Sequence, residues 1–192
     1  MQILITGSQG MLGAEFVRQL NIKTQEHESM KAIEVIGWSR TNLDITNGAQ
    51  VQEKIGQLKP DVVINCAAYN NVDKAEDEPE LANIINGEAV GYLARAATEC
   101  GAAFVHFSTD YVFDGENRAG YAEDDEPRPI SKYGESKALG EKRIFEISQT
   151  RKLVNWYIIR TSKLFGPSGT GATSKKSFPE MMIRIAREKG RV

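Results

Sequence analysis

The chain opens on a short apolar run that breaks into glycines and resumes at helical spacing. Gln2–Thr6 (QILIT) reads as a buried strand, and Gly7-Ser8-Gln9-Gly10-Met11-Leu12-Gly13 follows at once. Leu12, Phe16, Val17 and Leu20 then recur with the period of an amphipathic helix over Met11–Leu20. A strand that passes through a glycine turn into a helix is a demanding unit. It predicts a parallel sheet, because the helix must carry the chain back along the strand. The glycines fit a GxxGxxG form of the dinucleotide fingerprint. Gly7 would allow the tight turn, Gly10 a close approach of pyrophosphate to backbone, and Gly13 close packing of helix on strand. A phosphate there would meet free N–H groups and the positive end of the helix dipole. The plainer reading is a helix-start turn that happens to hold three glycines.

The rest of the chain repeats the alternation. Further strands are expected at Ala32–Gly37, Asp61–Asn65, Ala102–Ser108 and Val154–Arg160. Helices are expected at Ala49–Leu58, Glu80–Cys100 (with Gly101 as its cap), Ser131–Ser148 and Phe178–Lys189. Near-continuous apolar strands between helices imply an α/β fold, a doubly wound parallel sheet of Rossmann type with both faces covered. Ligands of such sheets bind at the carboxyl ends of the strands. Asn21–Lys31 is polar and reads as a surface extension of the first helix and its loop. Asp114–Ile130 is rich in glycine, proline and acid, and long enough to be a functional loop.

Composition removes several function classes. Of 192 residues, 24 are basic and 26 acidic, a net charge of -2 that gives no general electrostatic case for nucleic acid or an anionic membrane. No apolar run approaches the roughly 20 residues of a membrane span, and MQILITGSQG lacks the basic start of a secretory signal. Cys66 and Cys100 match neither a metal-ligand spacing nor a disulfide framework, which fits a reducing cytoplasm. Glu123, Asp124, Asp125 and Glu126 are consecutive rather than at ligand spacing, so no metal is expected. His27 falls in a polar loop. His106 falls in a strand, where a packed, hydrogen-bonded histidine is the favoured reading.

Two further patterns carry chemistry. The tip of the second strand reads Gly37-Trp38-Ser39-Arg40, with no carboxylate until Asp44. A hydroxyl and a guanidinium there suit a 2′-phosphate, hence NADP rather than NAD, although Arg40 reads equally well as a solvated charge. Asp44 and Ile45 are candidates to flank an adenine, or to form the turn before the next helix. Tyr133-Gly134-Glu135-Ser136-Lys137 is a YxxxK pattern on a predicted helix, which puts Tyr133 and Lys137 on one face. An ammonium beside a phenol favours phenolate, making the pair a proton donor or acceptor suited to carbonyl–alcohol chemistry. Thr109 ends the fourth strand, where its hydroxyl could bind the same carbonyl oxygen or merely satisfy its own backbone. The small residues after Asn65 leave room for a flat cofactor beside the sheet.

With these stretches in place, the chain resembles an extended short-chain dehydrogenase/reductase, and more narrowly the dTDP-4-dehydrorhamnose reductase family. ILITGSQGMLG, DVVINCAAYNNVDKAEDEPELANIIN, STDYVFDG, YGESKALGEK and IIRTSKLFG carry the resemblance across nearly the whole chain, with STDYVFDG the most specific. It implies NAD(P)H-dependent reduction of the 4-keto group of a nucleotide-linked deoxysugar. Tyr133 would be the acid, Lys137 would lower its pKa and hold the nicotinamide ribose, and Thr109 would bind the keto oxygen. The cofactor, NADP(H) or NAD(H), would lie on Gly7, Gln9, Gly10, Met11, Leu12 and Gly13. Ser39, Arg40, Asp44 and Ile45 would sit at its adenosine end and Ala67, Ala68 and Tyr69 along its groove. Tyr133, Lys137 and Arg160, with Thr161, would stand at its nicotinamide end.

The resemblance also implies a nucleotide-sugar substrate as partner; a homodimer is one candidate assembly among oligomeric states the sequence leaves open, and the cysteine usage makes a cytoplasmic location the expectation. Lys163 departs from the bulky aromatic the family places after Arg-Thr-Ser. Residues 1–192 are expected to be a single NAD(P)-binding domain, either a fragment of a longer two-lobe reductase or a naturally short member. The chain ends at Gly190-Arg191-Val192, where the resemblance places a further core strand, so an unpaired sheet edge is expected. Alternatives on the same scaffold are an NAD-retaining nucleotide-sugar epimerase or dehydratase, and a non-catalytic NADP-binding subunit resembling the regulatory subunit of methionine adenosyltransferase.

Overall fold

The computed structural model describes residues 1–28, 32–151, 155–171 and 178–189. Five strands form one parallel sheet: β1 (Gln2–Thr6), β2 (Glu34–Trp38), β3 (Val62–Asn65), β4 (Ala103–Thr109) and β5 (Trp156–Thr161). Their order across the sheet is β2-β1-β3-β4-β5. The direction of winding reverses between β1 and β3, so the crevice at their carboxyl ends is the topological switch point. Register there is direct: Thr6 pairs with Asn65, and Asn65 with His106.

The helices are α1 (Met11–Glu26), α2 (Gly48–Leu58), α3 (Val72–Asp77), α4 (Pro79–Asn83), α5 (Ala89–Cys100), α6 (Lys132–Arg151) and α7 (Phe178–Lys189). Because strand side chains alternate faces, the sheet feeds two cores. Leu4, Val63 and Phe104 point to one face and pack with Val51 and Ile55 of α2, Leu93 of α5 and Ile144 of α6. Ile3, Ile5 and Ile64 point to the other and meet Phe16, Val17 and Leu20 of α1. Each fully buried aliphatic side chain contributes roughly 1.5–3 kcal/mol, so these few positions fix both layers.

The doubly wound parallel sheet agrees with the sequence reading, with β1 and α7 at the expected bounds and the other uninterrupted elements shifted by up to six residues. Val154, the expected start of β5, lies outside the described residues. So do residues 29–31 of the segment expected to extend the first helix, and Gly190-Arg191-Val192. The helix expected over Glu80–Cys100 is interrupted. α4 gives way to a π-helical turn at Ile84–Glu88 before α5 begins, and α3 precedes it in a stretch where no helix is expected. Gly101 does cap α5 in the left-handed conformation. Among the described strands β5 stands at the edge of the sheet, with Tyr157 and Ile159 exposed on its second face. Among the described residues no helix is long and apolar enough to cross a membrane.

Candidate active site at the carboxyl edge of the sheet

The turn after β1 is shaped by backbone contact. Gly7 has φ +68°, and a Cβ there would stand 2.6 Å from the backbone nitrogen of Ala67, the chain leaving β3. A side chain at Gly13 would run into the carbonyl of Gly7. Only glycine lets β1, α1 and the end of β3 come together here. Gly10 precedes α1, its N–H donating to the Gly7 carbonyl at 2.9 Å. No side chain caps the helix and its first turn carries no acid. The amides of the first turn therefore face the crevice without helical partners, a cradle for an anion. Met11 and Leu12 are half-buried and Gln9 is exposed, its carbonyl accepting from Gly171 N–H at 3.1 Å.

The far wall of the crevice begins at Ala67-Ala68-Tyr69, and one buried residue fixes it. Asn86, in the π-helical turn, accepts from the Tyr69 N–H at 2.8 Å and donates to the Tyr69 carbonyl at 2.9 Å. Its amino group also reaches Ser136 Oγ in α6 at 3.0 Å. The extra residue of a π turn, a common feature of functional sites, carries the carboxamide between loop and helix. The Tyr69 phenol donates to Glu78 at 2.7 Å.

Thr109 ends β4, and Tyr133 stands in the first turn of α6. The Thr109 hydroxyl donates to Asp110 Oδ1 at 3.1 Å and accepts from Tyr111 N–H at 3.3 Å. Tyr111 packs edge-on against Tyr133, with ring centroids 5.7 Å apart. Burial raises the Tyr133 phenol above its ordinary pKa, against the pull of the Thr109 side chain, which favours the phenolate. This differs from the expectation that Lys137 would lower it. Lys137 is buried, and its ammonium turns to β4, donating to the Phe107 carbonyl at 2.5 Å beside His106. A buried cation takes the nearest strong acceptor, and that is the strand-end carbonyl. Burial lowers Lys137 to about 8, opposed by the carboxylate of Glu141.

The adenosine-end candidates are placed differently from one another. Ser39 is buried and held by Thr41 and Asn42, with Oγ 2.8 and 2.9 Å from their side-chain oxygens, while Arg40 is exposed. Asp44 caps a turn, accepting from the Thr46 N–H and hydroxyl at 3.0 and 2.7 Å, which holds its carboxyl below the usual range. Ile45 is buried in the core. Arg160 commits its guanidinium to Glu141 at 2.8 Å, to the Glu123 carbonyl at 3.0 Å, and to the face of Phe113, 4.9 Å from the ring centroid. Lys163, where an aromatic was expected, lies over the Phe178 ring at 3.9 Å.

Asn65 and Asn86 are the site residues that sequence reasoning did not single out, whereas His106 is buried and hydrogen-bonded as its place in a strand suggested. Asn65 closes an apolar strand at the ligand edge, which was the available signal. A cavity of about 360 Å³ lies in the acidic loop, lined by Asp114, Glu116, Asp125, Glu126, Tyr121, Asn117 and Arg128. Four carboxylates against one guanidinium give it the wrong sign for a pyrophosphate. The glycine turn, by contrast, has no acid in the first turn of α1.

Comparison with known proteins adds an independent line. The family model described as the RmlD substrate binding domain matches residues 1–192. A dTDP-4-dehydrorhamnose reductase of Burkholderia thailandensis is 38% identical over 189 residues, 98% of this chain and 57% of that protein. One from Streptomyces griseus is 37% identical over 189 residues, covering 98% and 56%. A crystal structure of dTDP-4-dehydrorhamnose reductase from Bacillus anthracis in complex with NADP superposes with a TM-score of 0.80 at 37% identity, over 97% of this chain and 60% of that one. The chain thus spans somewhat under two thirds of the length of these relatives.

Proposed function

The chain belongs to the RmlD substrate binding domain family, and from that membership we propose that it carries the dinucleotide site and the proton donor of an NADPH-dependent reductase acting on the 4-keto group of a dTDP-linked deoxysugar. The observation that carries the reading is the pairing of two features across one crevice. A glycine turn that admits no Cβ at Gly7 or Gly13 lies on one side, and Thr109 with Tyr133 lies at the end of β4 and the start of α6. The B. anthracis relative, crystallised with NADP, supports the choice of cofactor.

The residues fit such a cofactor on the shape of the cradle alone. Gly7, Gly10 and Gly13 would hold the pyrophosphate against the first turn of α1. Ser39 and Arg40 would take the 2′-phosphate, and Ala67, Ala68 and Tyr69 would line the groove. When bound, the reduced nicotinamide supplies the hydride. Tyr133 supplies the proton: its raised pKa keeps it a phenol at neutral pH, the form an acid needs when a ketone becomes an alcohol. Thr109 hydrogen-bonds the same oxygen. Lys137 contributes a positive charge beneath the site below about pH 8.

The test is to follow reduced-nicotinamide absorbance while the protein is mixed with NADPH and a dTDP-4-keto-6-deoxysugar. Absorbance falls with the native protein, and Tyr133→Phe abolishes the fall. Turnover undiminished in Tyr133→Phe removes the assigned acid, and tight NADPH binding without turnover points either to the non-catalytic reading or to a need for the part of the relatives that this chain does not span.

A further inference from the structure

We propose that His106 is a positioning residue for this chemistry: held in a single tautomer by Asn65, it presents a ring N–H to Lys137 and thereby sets the charge that the lysine carries at the site. The functional half of the inference rests on the reductase reading; the proton placement does not.

The argument starts from an unambiguous donor. The Ala67 backbone N–H donates to Asn65 Oδ1 at 3.1 Å, and the Thr6 hydroxyl donates to the same oxygen at 2.7 Å. A backbone amide has no lone pair to offer, so this atom of Asn65 is the oxygen. The amino group then faces His106 Nδ1, 3.0 Å away. An amide N–H can only donate, so Nδ1 must accept. A neutral imidazole that accepts at Nδ1 carries its hydrogen on Nε2. The doubly protonated ring is excluded as well, because His106 is wholly buried and its pKa is held well below the usual imidazole value, by burial first and by Lys137 second.

Nε2–H therefore points at Lys137 Nζ across 3.3 Å. An ammonium offers three hydrogens and no lone pair, so only the free amine completes this contact. The Phe107 carbonyl takes one lysine hydrogen in either state. The other charged or titratable groups acting on Nζ are Glu141, one turn along α6, and Cys66 at the end of β3, both of which favour the ammonium. The Cys66 thiol is itself pushed up to about 12 by burial, so it stays neutral. Burial alone lowers Lys137 to about 8, and a histidine hydrogen facing Nζ acts in the same direction. Had His106 offered a lone pair instead, the same contact would have held the lysine charged.

The test reads proton positions in the free protein, with no cofactor or substrate. Ring-nitrogen NMR of His106 between pH 6 and 9 is expected to show the neutral Nε2–H tautomer throughout, and the Lys137 side-chain carbon shift to titrate near pH 8. In His106→Phe the lost donor raises that midpoint by up to about one unit, tenfold in proton affinity. His106→Gln, whose amide is free to turn its oxygen to Nζ, raises it further and serves if the phenylalanine variant does not fold. An Nδ1–H tautomer, an imidazolium in this range, or a midpoint that stays or falls in the variants overturns the proposal. Failure of NADPH turnover with the expected tautomer intact would count against the reductase reading alone.

Discussion

The side chain of Asn86 pairs with both backbone groups of Tyr69, its oxygen 2.8 Å from the N–H and its nitrogen 2.9 Å from the carbonyl. A buried carboxamide thus does for the Ala67–Tyr69 loop what a neighbouring strand would do. Asn86→Ala leaves the half-buried N–H and carbonyl of Tyr69 without these partners, and a group left unpaired away from water costs about 1–3 kcal/mol. We expect a stability loss of about 2–4 kcal/mol in urea unfolding. NADPH affinity should fall alongside it, because the loop is one wall of the crevice.

Arg160 and Glu141 form an ion pair at 2.8 Å in which the carboxylate is 1% exposed and the guanidinium 17%. Removing one partner strands a buried charge, at about 3–5 kcal/mol, whereas replacing both by apolar residues is often neutral. Arg160→Met should therefore destabilise by that amount, and Arg160→Met combined with Glu141→Leu should recover most of it. Denaturant midpoints of the single and double variants check this.

Two glycines should respond in opposite directions to the same substitution. Gly13→Ala drives a methyl into the Gly7 carbonyl, a backbone atom with nowhere to go, and should cost about 2–4 kcal/mol together with dinucleotide binding. Gly56, in α2, has open space where its Cβ would stand. Gly56→Ala should stabilise by about 0.5–1 kcal/mol, since alanine is the better helix former. Thermal unfolding of the two variants distinguishes steric fit from mere glycine content.

Stability should rise with pH in the alkaline range because of Lys137. It titrates at about 8 in the fold and near 10.4 when unfolded. Between those values the unfolded chain holds the extra proton, so raising the pH favours the folded state. The gain is on the order of 3 kcal/mol across the window. It should vanish in Lys137→Met, as measured by the difference in unfolding free energy between the two proteins from pH 8 to 10.4.

The layout of the sheet was legible because buried parallel strands are continuous apolar runs, as in QILIT and DVVIN, and because Gly7 and Gly13 stand where backbone contact tolerates nothing else. The π turn was not, since one extra residue leaves the helical spacing of ELANIINGEAVGYLARAATEC nearly unchanged. Its product, the placement of Asn86, was hidden with it. Helical spacing put Tyr133 and Lys137 on one face but could not say which acceptor the lysine would choose. That depended on burial beside β4, which brings His106 to a residue 31 positions away. Asp44 and Ile45 were read toward an adenine. The alternative reading, a turn before the helix, describes where their side chains are engaged, because an aspartate two residues before Thr46 satisfies its own turn first.

The most direct test is a calorimetric titration of the native protein with NADPH, repeated on Gly10→Asp and Tyr133→Phe. A dinucleotide held on the glycine turn beside Tyr133 predicts one site per chain, lost in Gly10→Asp, whose carboxylate would repel the phosphates, and retained in Tyr133→Phe. No binding by the native protein, or equal binding by Gly10→Asp, would contradict it.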